Sequence, residues 1–110
     1  MYPPTVMTRT IVTRVVGVSY EGRQNVVAQL TKGETIFLVR DPDNIYDTNA
    51  IKVMRGTGEY FGFVNRDLAV SIAPILDQRE GVLRAYVVAV TGGYDQFSKR
   101  GALIRFDLPE

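Results

Sequence analysis

The chain has 110 residues, of which 45% are hydrophobic and 23% charged, a size and mixture typical of one domain with a single core. It contains no cysteine and no histidine, which excludes disulfides, the usual zinc sites, thiol nucleophiles and imidazole bases. The 13 Lys and Arg residues nearly balance the 12 Asp and Glu residues, so a site for an anion is expected to be a local patch. We therefore expect a binding module without a cofactor rather than an enzyme.

The sequence pattern predicts neither a membrane span nor an export signal. No apolar run reaches the ~18 residues that a membrane span needs, and the first ten residues, MYPPTVMTRT, lack a hydrophobic signal core. We therefore expect a cytoplasmic protein that binds no membrane. Residues 1–8 are expected to be frayed or disordered, and residues 9–110 to form one domain.

The first half of the chain predicts an antiparallel β-sheet. Residues 10–20, 25–30 and 35–40 are rich in β-branched side chains and are each predicted to form a strand. Gly17, inside the first of them, indicates a bulge or a close approach of two backbones. Residues 41–49 (DPDNIYDTN) concentrate Asp, Asn and Pro, and they predict a structured loop.

The second half combines further strands with a helix. Residues 50–54 and 60–64 are predicted to be short strands joined by a glycine-containing hairpin. Apolar residues then recur at helical spacing over residues 65–77, with Asn65 suited to the N-cap position. Pro74 is expected to end or kink this helix.

Two last strands, at residues 82–91 and 102–108, complete the predicted fold and flank a hairpin loop. The chain is thus expected to be mainly β, with about six or seven strands and one α-helix inserted after the fifth. Small β-proteins avoid exposed sheet edges by closing the sheet. We therefore expect a small OB-like or SH3-like β-barrel, with a β-sandwich as the alternative.

Four segments form a pattern of fixed order and spacing: GVSY, LVRDPDNIYDTNAIKV, GFVNRDLA and APILD, beginning at residues 17, 38, 62 and 73. The pattern resembles the HIRAN domain family over about residues 15–90. D-P-x-N alone is a common turn, whereas D-P-x-N-x-Y-D-x-N-A-I-x-V followed by a glycine-containing strand and an R/K-x-L-A helix is specific to that family. The resemblance implies an OB-like barrel that binds DNA and that grips single-stranded 3′ ends in fork-remodelling, helicase-like proteins.

The resemblance also implies a set of contacts with DNA. Single strands are held by aromatic rings that stack on bases and by cations that meet phosphates. By matching positions, Tyr20 and Tyr46 would contact bases and Arg66, at the start of the helix, would contact a phosphate. Asp47 would accept a hydrogen bond from the 3′-hydroxyl. Asn44 would supply an amide contact.

Two positions depart from the family pattern. Ser19 stands where the family can carry an arginine, and Phe63 stands where one well-studied type of member has a histidine, so Phe63 is assigned a stacking role. The loop at residues 91–101 interleaves aromatic and basic side chains, as a strand-gripping loop does. Its candidate contacts are Phe97, Lys99 and Arg100.

The same residues have purely structural alternatives. Tyr46 could plug its loop against the barrel, and Tyr20 could be a half-buried core residue. Asp47 could close an Asx-type turn, and Arg66 could be a solvated surface charge. A calcium loop beginning at Asp41 is rejected, because its sixth position is not glycine and lysine stands where the bidentate glutamate is needed.

These observations predict a non-enzymatic module that binds single-stranded DNA, in particular 3′-hydroxyl ends, in DNA repair or at replication forks. A protein partner with enzymatic activity is a further possibility. The alternative is a protein–protein interaction module that uses the barrel edge or the loop at residues 41–49. A metal-dependent nuclease is the least favoured hypothesis, because no second acidic cluster accompanies this loop.

Overall fold

The computed structural model describes residues 8–20, 22–95 and 98–109. Within these ranges the chain forms six strands and two helices. In chain order the elements are β1 (Thr8–Arg14), α1 (Arg23–Gln29), β2 (Thr35–Arg40), β3 (Ile51–Arg55), β4 (Tyr60–Phe63), α2 (Arg66–Asp77), β5 (Val82–Gly92) and β6 (Arg100–Pro109). Neither described helix has the length and apolar character needed to cross a membrane.

The six strands form one antiparallel sheet in the order β1-β6-β5-β2-β3-β4, which curls into a half-barrel. The two edge strands are β1 and β4, and the residues that follow β1 reach β4. There Val16 and Phe63 exchange backbone hydrogen bonds of 2.9 Å in both directions. Gly62 makes this approach possible, because a Cβ atom at that position would collide with the Val15 side chain and the Val16 carbonyl. The predicted β-barrel architecture is confirmed.

The core lies between the concave face of the sheet and the two helices. Strand residues alternate between buried and exposed positions, as expected for a sheet with one solvated face. The helix α2 covers one part of this face with four buried residues on one side. Among the largest fully buried side chains are Phe61, Phe106, Ile36, Leu38, Ile51, Ile72, Leu76 and Ile104.

The predicted helix at residues 65–77 is confirmed as α2. Asn65 caps it, since its side-chain oxygen accepts a 2.9 Å hydrogen bond from the Leu68 N–H. The helix continues past Pro74 to Asp77, so the proline does not end it. It follows the fourth strand, not the fifth as predicted, because one predicted strand is itself a helix.

The prediction of a strand at residues 25–30 is wrong, because residues 23–29 form the helix α1. Val26, Val27 and Leu30 are buried at the spacing of one helix face. Burial of this face overrides the preference of β-branched residues for strands. The first strand also ends at Arg14, earlier than predicted, and Thr8 of the predicted frayed start already pairs with Pro109.

A salt bridge joins β3 to the turn before β2, with 2.7 Å between Arg55 Nε and Glu34 Oε2. Partial burial by itself would raise the pKa of Glu34, but hydrogen bonds from Arg55 and the Thr31 N–H, together with the Arg55 charge, lower it overall. The hydrogen bond to Glu34 likewise raises the pKa of Arg55. This pair ties the end of β3 to the turn before β2, and neither residue lines the candidate functional site.

Candidate functional site

A groove of about 840 Å³ opens between the loop at residues 41–49, the start of α2, the strands β3 and β4, and the turn after β1. It brings together six of the nine residues that the sequence marks as site candidates. They are Tyr20, Asn44, Tyr46, Asp47, Phe63 and Arg66. Side chains that are distant in sequence thus share one surface.

The loop on one side of the groove is shaped by its own polar side chains. Asn44 Oδ1 accepts hydrogen bonds from the backbone N–H groups of Tyr46 (2.9 Å) and Asp47 (3.1 Å). The Asn44 amide in turn donates to Asp41 Oδ2 at 3.0 Å. Asn44 therefore builds the loop that presents its neighbours to the groove.

Arg40 holds this loop from the barrel side. Its Nη1 and Nη2 atoms donate to the carbonyls of Ala50 (2.8 Å) and Thr48 (3.0 Å). Its Nε donates to Asp77 Oδ1 at 2.9 Å, at the end of α2. The guanidinium thus ties the loop to both β2 and α2, which preorganises the groove wall.

The two carboxylate oxygens of Asp47 have different partners. Its Oδ1 atom accepts a 2.9 Å hydrogen bond from the Asn49 N–H, which closes an Asx turn. Its Oδ2 atom lies 3.8 Å from Arg66 Nε, at the limit of a salt bridge. The structural alternative for Asp47 is therefore correct for one oxygen, and the second oxygen lies toward Arg66.

Tyr46 does not plug its loop against the barrel, since 82% of its surface is exposed. Tyr20 is 66% exposed, so it is not a core residue either. Arg66 is a largely solvated charge near Asp47, with a weak 3.5 Å contact from Nη2 to the Tyr46 carbonyl. The two tyrosines are available as flat apolar faces at the groove.

An arginine and three aromatic rings form the other side of the groove. The Arg23 guanidinium carbon lies 4.9 Å from the ring centre of Tyr20, 4.7 Å from that of Tyr60 and 5.4 Å from that of Phe63. Tyr60 and Phe63 also meet edge to face, with 6.0 Å between ring centres. These distances are typical of cation–π contacts and aromatic pairs, and they fix the rings relative to one another.

Sequence reasoning missed three residues of this wall: Arg23, Lys52 and Tyr60. Arg23 was missed because the sequence predicts it in the connection before the strand at residues 25–30, whereas it begins α1. Lys52 stands opposite Phe63 in the register of β3 and β4 and reaches the Tyr60 ring, with Nζ 5.0 Å from its centre. The hairpin pairing alone would have placed Lys52 next to Phe63, so that signal was present in the sequence.

Of the late-hairpin candidates, the two described ones, Lys99 and Arg100, do not line the groove. Lys99 is exposed and Arg100 half-buried at the start of β6, and Phe97 lies outside the described residues. The base of the hairpin is nevertheless joined to the groove side by Gln24 of α1. The Gln24 amide donates to the carbonyls of Val18 and Arg100 at 2.8 Å and accepts from the Arg100 N–H at 2.9 Å.

The groove carries three cations, Arg23, Lys52 and Arg66, and two carboxylates, Asp41 and Asp47. In the part of the chain that the structure describes, no three acidic side chains come together as a metal site requires. The groove therefore offers aromatic faces, donors and single acceptors. Such a surface suits the binding of a strand with alternating bases and phosphates.

A family model for the HIRAN domain matches residues 8–99. Among curated proteins, the chain is 41% identical over 51 residues to a Fanconi-associated nuclease 1 homolog of Arabidopsis thaliana. It is 40% identical over 58 residues to the helicase-like transcription factor of Homo sapiens. These matches cover 46% and 49% of this chain but only 6% of each relative.

Solved structures agree with the fold. The crystal structure of the HIRAN domain of human HLTF superposes with a TM-score of 0.62 and 29% identity, covering 89% of this chain and 74% of that one. A Lactobacillus plantarum protein superposes with a TM-score of 0.64 over 92% of this chain and 98% of its own, at 24% identity. The second likeness concerns the fold alone. Together they confirm the expected OB-like barrel.

Proposed function

The chain belongs to the HIRAN domain family, and we propose that its groove binds single-stranded DNA and recognises the 3′-hydroxyl end. Membership supports a DNA-binding, non-catalytic domain in a context of DNA repair. The observation that carries the finer proposal is the convergence of Tyr20, Tyr46, Asp47 and Arg66 in one groove.

The two exposed tyrosines supply the stacking surfaces. Stacking of a base on an aromatic ring is worth ~1–3 kcal/mol and tolerates any base, because every base has a π-face. Tyr46, on the loop, and Tyr20, on the turn after β1, stand at the groove with most of their surface free. Phe63, half-buried against Tyr60, adds apolar surface to the same groove. Binding is thus expected without base specificity.

Asp47 supplies the check for a strand end. A terminal 3′-hydroxyl is a donor that an internal nucleotide lacks, and Asp47 Oδ2 is the oxygen not used by the Asx turn. A 3′-phosphate would instead bring negative charge to a carboxylate, which is unfavourable. Arg66, beside Asp47, is placed to meet the phosphate that precedes the terminal nucleotide. We propose that this carboxylate is the source of end specificity.

Fluorescence anisotropy with labelled single strands that end in 3′-hydroxyl or 3′-phosphate tests both parts of the proposal. The expected result is tighter binding of the 3′-hydroxyl strand by about 10- to 100-fold, the range of a hydrogen bond to a charged group. Equal affinities would refute end recognition. No binding of either strand at low salt would refute DNA binding by this domain.

Asp47→Asn sharpens the test. Asparagine keeps an acceptor oxygen for the Asn49 N–H but replaces Oδ2 by a donor, so the loop is expected to remain intact while the preference for 3′-hydroxyl ends is lost. Asp43→Asn is the matched control, since Asp43 is an exposed aspartate of the same loop that does not line the groove. A preference that survives in Asp47→Asn would assign the end check elsewhere.

The relatives suggest how the domain is used. The chain spans only 6% of the length of the nuclease homolog and of the helicase-like transcription factor. We propose that this domain provides the grip on a DNA end and that a separate polypeptide or segment provides enzymatic activity. The domain then has no need for catalytic groups of its own.

A second candidate function is protein binding at the barrel edge. β1 stands at the end of the strand order and pairs only with β6 among the described strands, and its Val12 is 55% exposed. Such an edge can accept an added strand from a partner. An absence of DNA binding in the anisotropy experiment would favour this candidate.

A further inference from the structure

Arg23 is held in the groove wall by contacts on two sides of its guanidinium group. One Nη atom donates to the Gly17 carbonyl at 2.7 Å, and the other donates to the Tyr60 hydroxyl at 2.8 Å. Gly17 adopts a positive φ of 72°, which glycine tolerates, and this turns its carbonyl toward the arginine. The guanidinium is therefore fixed in orientation, with aromatic rings around it.

These contacts use only part of the donors of the arginine. A guanidinium has five N–H groups, and hydrogen bonds within the described residues occupy two of them. Arg23 is half-buried and lines the groove. Donors that remain at a groove wall are available to a ligand, and a fixed fork of N–H groups matches a phosphate.

Lys52 brings a second positive charge to the same place. Its Nζ lies 5.0 Å from the centre of the Tyr60 ring, and the Arg23 guanidinium carbon lies 4.7 Å from that centre. In the described part of the chain the salt bridges are made by Arg40, Arg55 and Arg66, not by Arg23 or Lys52. Two cations near one ring, neither of them in a salt bridge, make this part of the groove positively charged, which favours an anionic strand.

We propose that Arg23 and Lys52, arranged around Tyr60, form a phosphate site for the nucleotides that precede the strand end. This inference rests on the proposed function and extends it, because it assigns further backbone contacts to groove residues other than Asp47 and Arg66. Arg66 meets the phosphate next to the terminal nucleotide, and Arg23 and Lys52 each meet one of the phosphates further along the strand. Tyr20 lies beside Arg23 and stacks on a base between these phosphates.

The salt dependence of binding tests the phosphate contact. For a single strand the slope of log K against log salt is about −0.7 for each phosphate contact. The double variant Arg23→Gln with Lys52→Gln is therefore expected to have a slope about 1.4 smaller in magnitude if each cation makes one contact. Over a fourfold rise in salt, the wild type would then lose roughly 7-fold more affinity than the variant.

Matched variants separate charge from packing. Arg23→Lys keeps the charge and is expected to keep most of the slope. Arg105→Gln removes an arginine that also lies over a tyrosine, 5.6 Å from the Tyr86 ring, but outside the groove, and is expected to leave the slope unchanged. Circular dichroism verifies that each variant folds. Should Arg23→Gln not fold, Lys52→Gln alone carries the test, with an expected change of about 0.7.

An affinity that falls by the same factor at every salt concentration, with an unchanged slope, would overturn the phosphate site and make Arg23 a residue that only positions Tyr20 and Tyr60. In that case the proposed function would stand, because the wild type still binds. A wild type that binds no single strand at low salt would overturn the proposed function and this inference together.

Discussion

Truncation of Tyr46 tests whether this exposed loop tyrosine binds DNA or only packs its loop against the barrel. The ring is 82% exposed, and the loop is fixed by the Tyr46 backbone, whose N–H donates to Asn44 Oδ1 at 2.9 Å. Tyr46→Ala leaves this bond in place and removes little buried surface. We therefore expect a change of less than about 0.5 kcal/mol in the free energy of unfolding.

The expected effect on DNA is much larger. Loss of one stacked base costs ~1–3 kcal/mol, which corresponds to a 5- to 150-fold weaker Kd. Anisotropy with a labelled single strand measures Kd, and urea denaturation of the same samples measures stability. Tyr46→Phe keeps the ring and is expected to bind nearly as the wild type does.

Ile45→Ala is the control for the loop itself, since Ile45 is 86% exposed next to Tyr46 and does not line the groove. It is expected to leave both Kd and stability unchanged. A folded Tyr46→Ala variant with wild-type affinity would refute the stacking role. A large loss of stability in Tyr46→Ala would refute the conclusion that the Tyr46 ring contributes little to the stability of the fold.

Three further predictions concern the scaffold around the groove. Partial burial of Glu34 is outweighed by hydrogen bonds from Arg55 and the Thr31 N–H, which lower its pKa from 4.5. The ionised carboxylate therefore stabilises the fold above pH 4.5, and this stabilisation is lost as the pH falls below that value. Glu34→Gln is expected to flatten the fall in Tm between about pH 6 and about pH 3. Gln24→Ala removes three hydrogen bonds between α1, the turn after β1 and the late hairpin, and is expected to lower the free energy of unfolding by about 2–3 kcal/mol in urea denaturation. Gly62→Ala would place a methyl group against the Val15 side chain and is expected to destabilise the barrel by about 1–3 kcal/mol or more, whereas a wild-type Tm would show that the two sheet edges can separate.

The features that the sequence predicted well are those with local causes. The loop at residues 41–49 follows from Asn and Asp side chains that bond to backbone groups two or three residues away. The cap of α2 is set by Asn65 and the Leu68 N–H in the same way. Hydrogen bonds of this kind join residues that are close in sequence, so the sequence pattern is enough to predict the loop and the helix cap.

The features that the sequence missed depend on distant contacts. Val26 and Val27 favour a strand, yet they form a helix because that helix fills the space over β4 and β6. Because the sequence predicts Arg23 in a connection between two strands and not at the start of a helix, it gives Arg23 no place in the groove. The position of Tyr60 likewise depends on the pairing of β3 with β4. The sequence predicts that hairpin but not its register, and it does not predict α1, so the contact between Arg23 and Tyr60 is not predictable from the sequence.

The near-neutral charge of the chain and the small number of groove cations limit how DNA can be bound. With one contact each, Arg23, Lys52 and Arg66 set a salt slope of about 2 in magnitude for a single strand. A duplex-binding protein with 6–10 phosphate contacts has a far steeper dependence. A measured slope near 2 fits a short grip on a strand end within the groove. A slope above about 3 would require further cations, and the late hairpin, which Gln24 ties to the groove side, would supply them through Lys99 and Arg100.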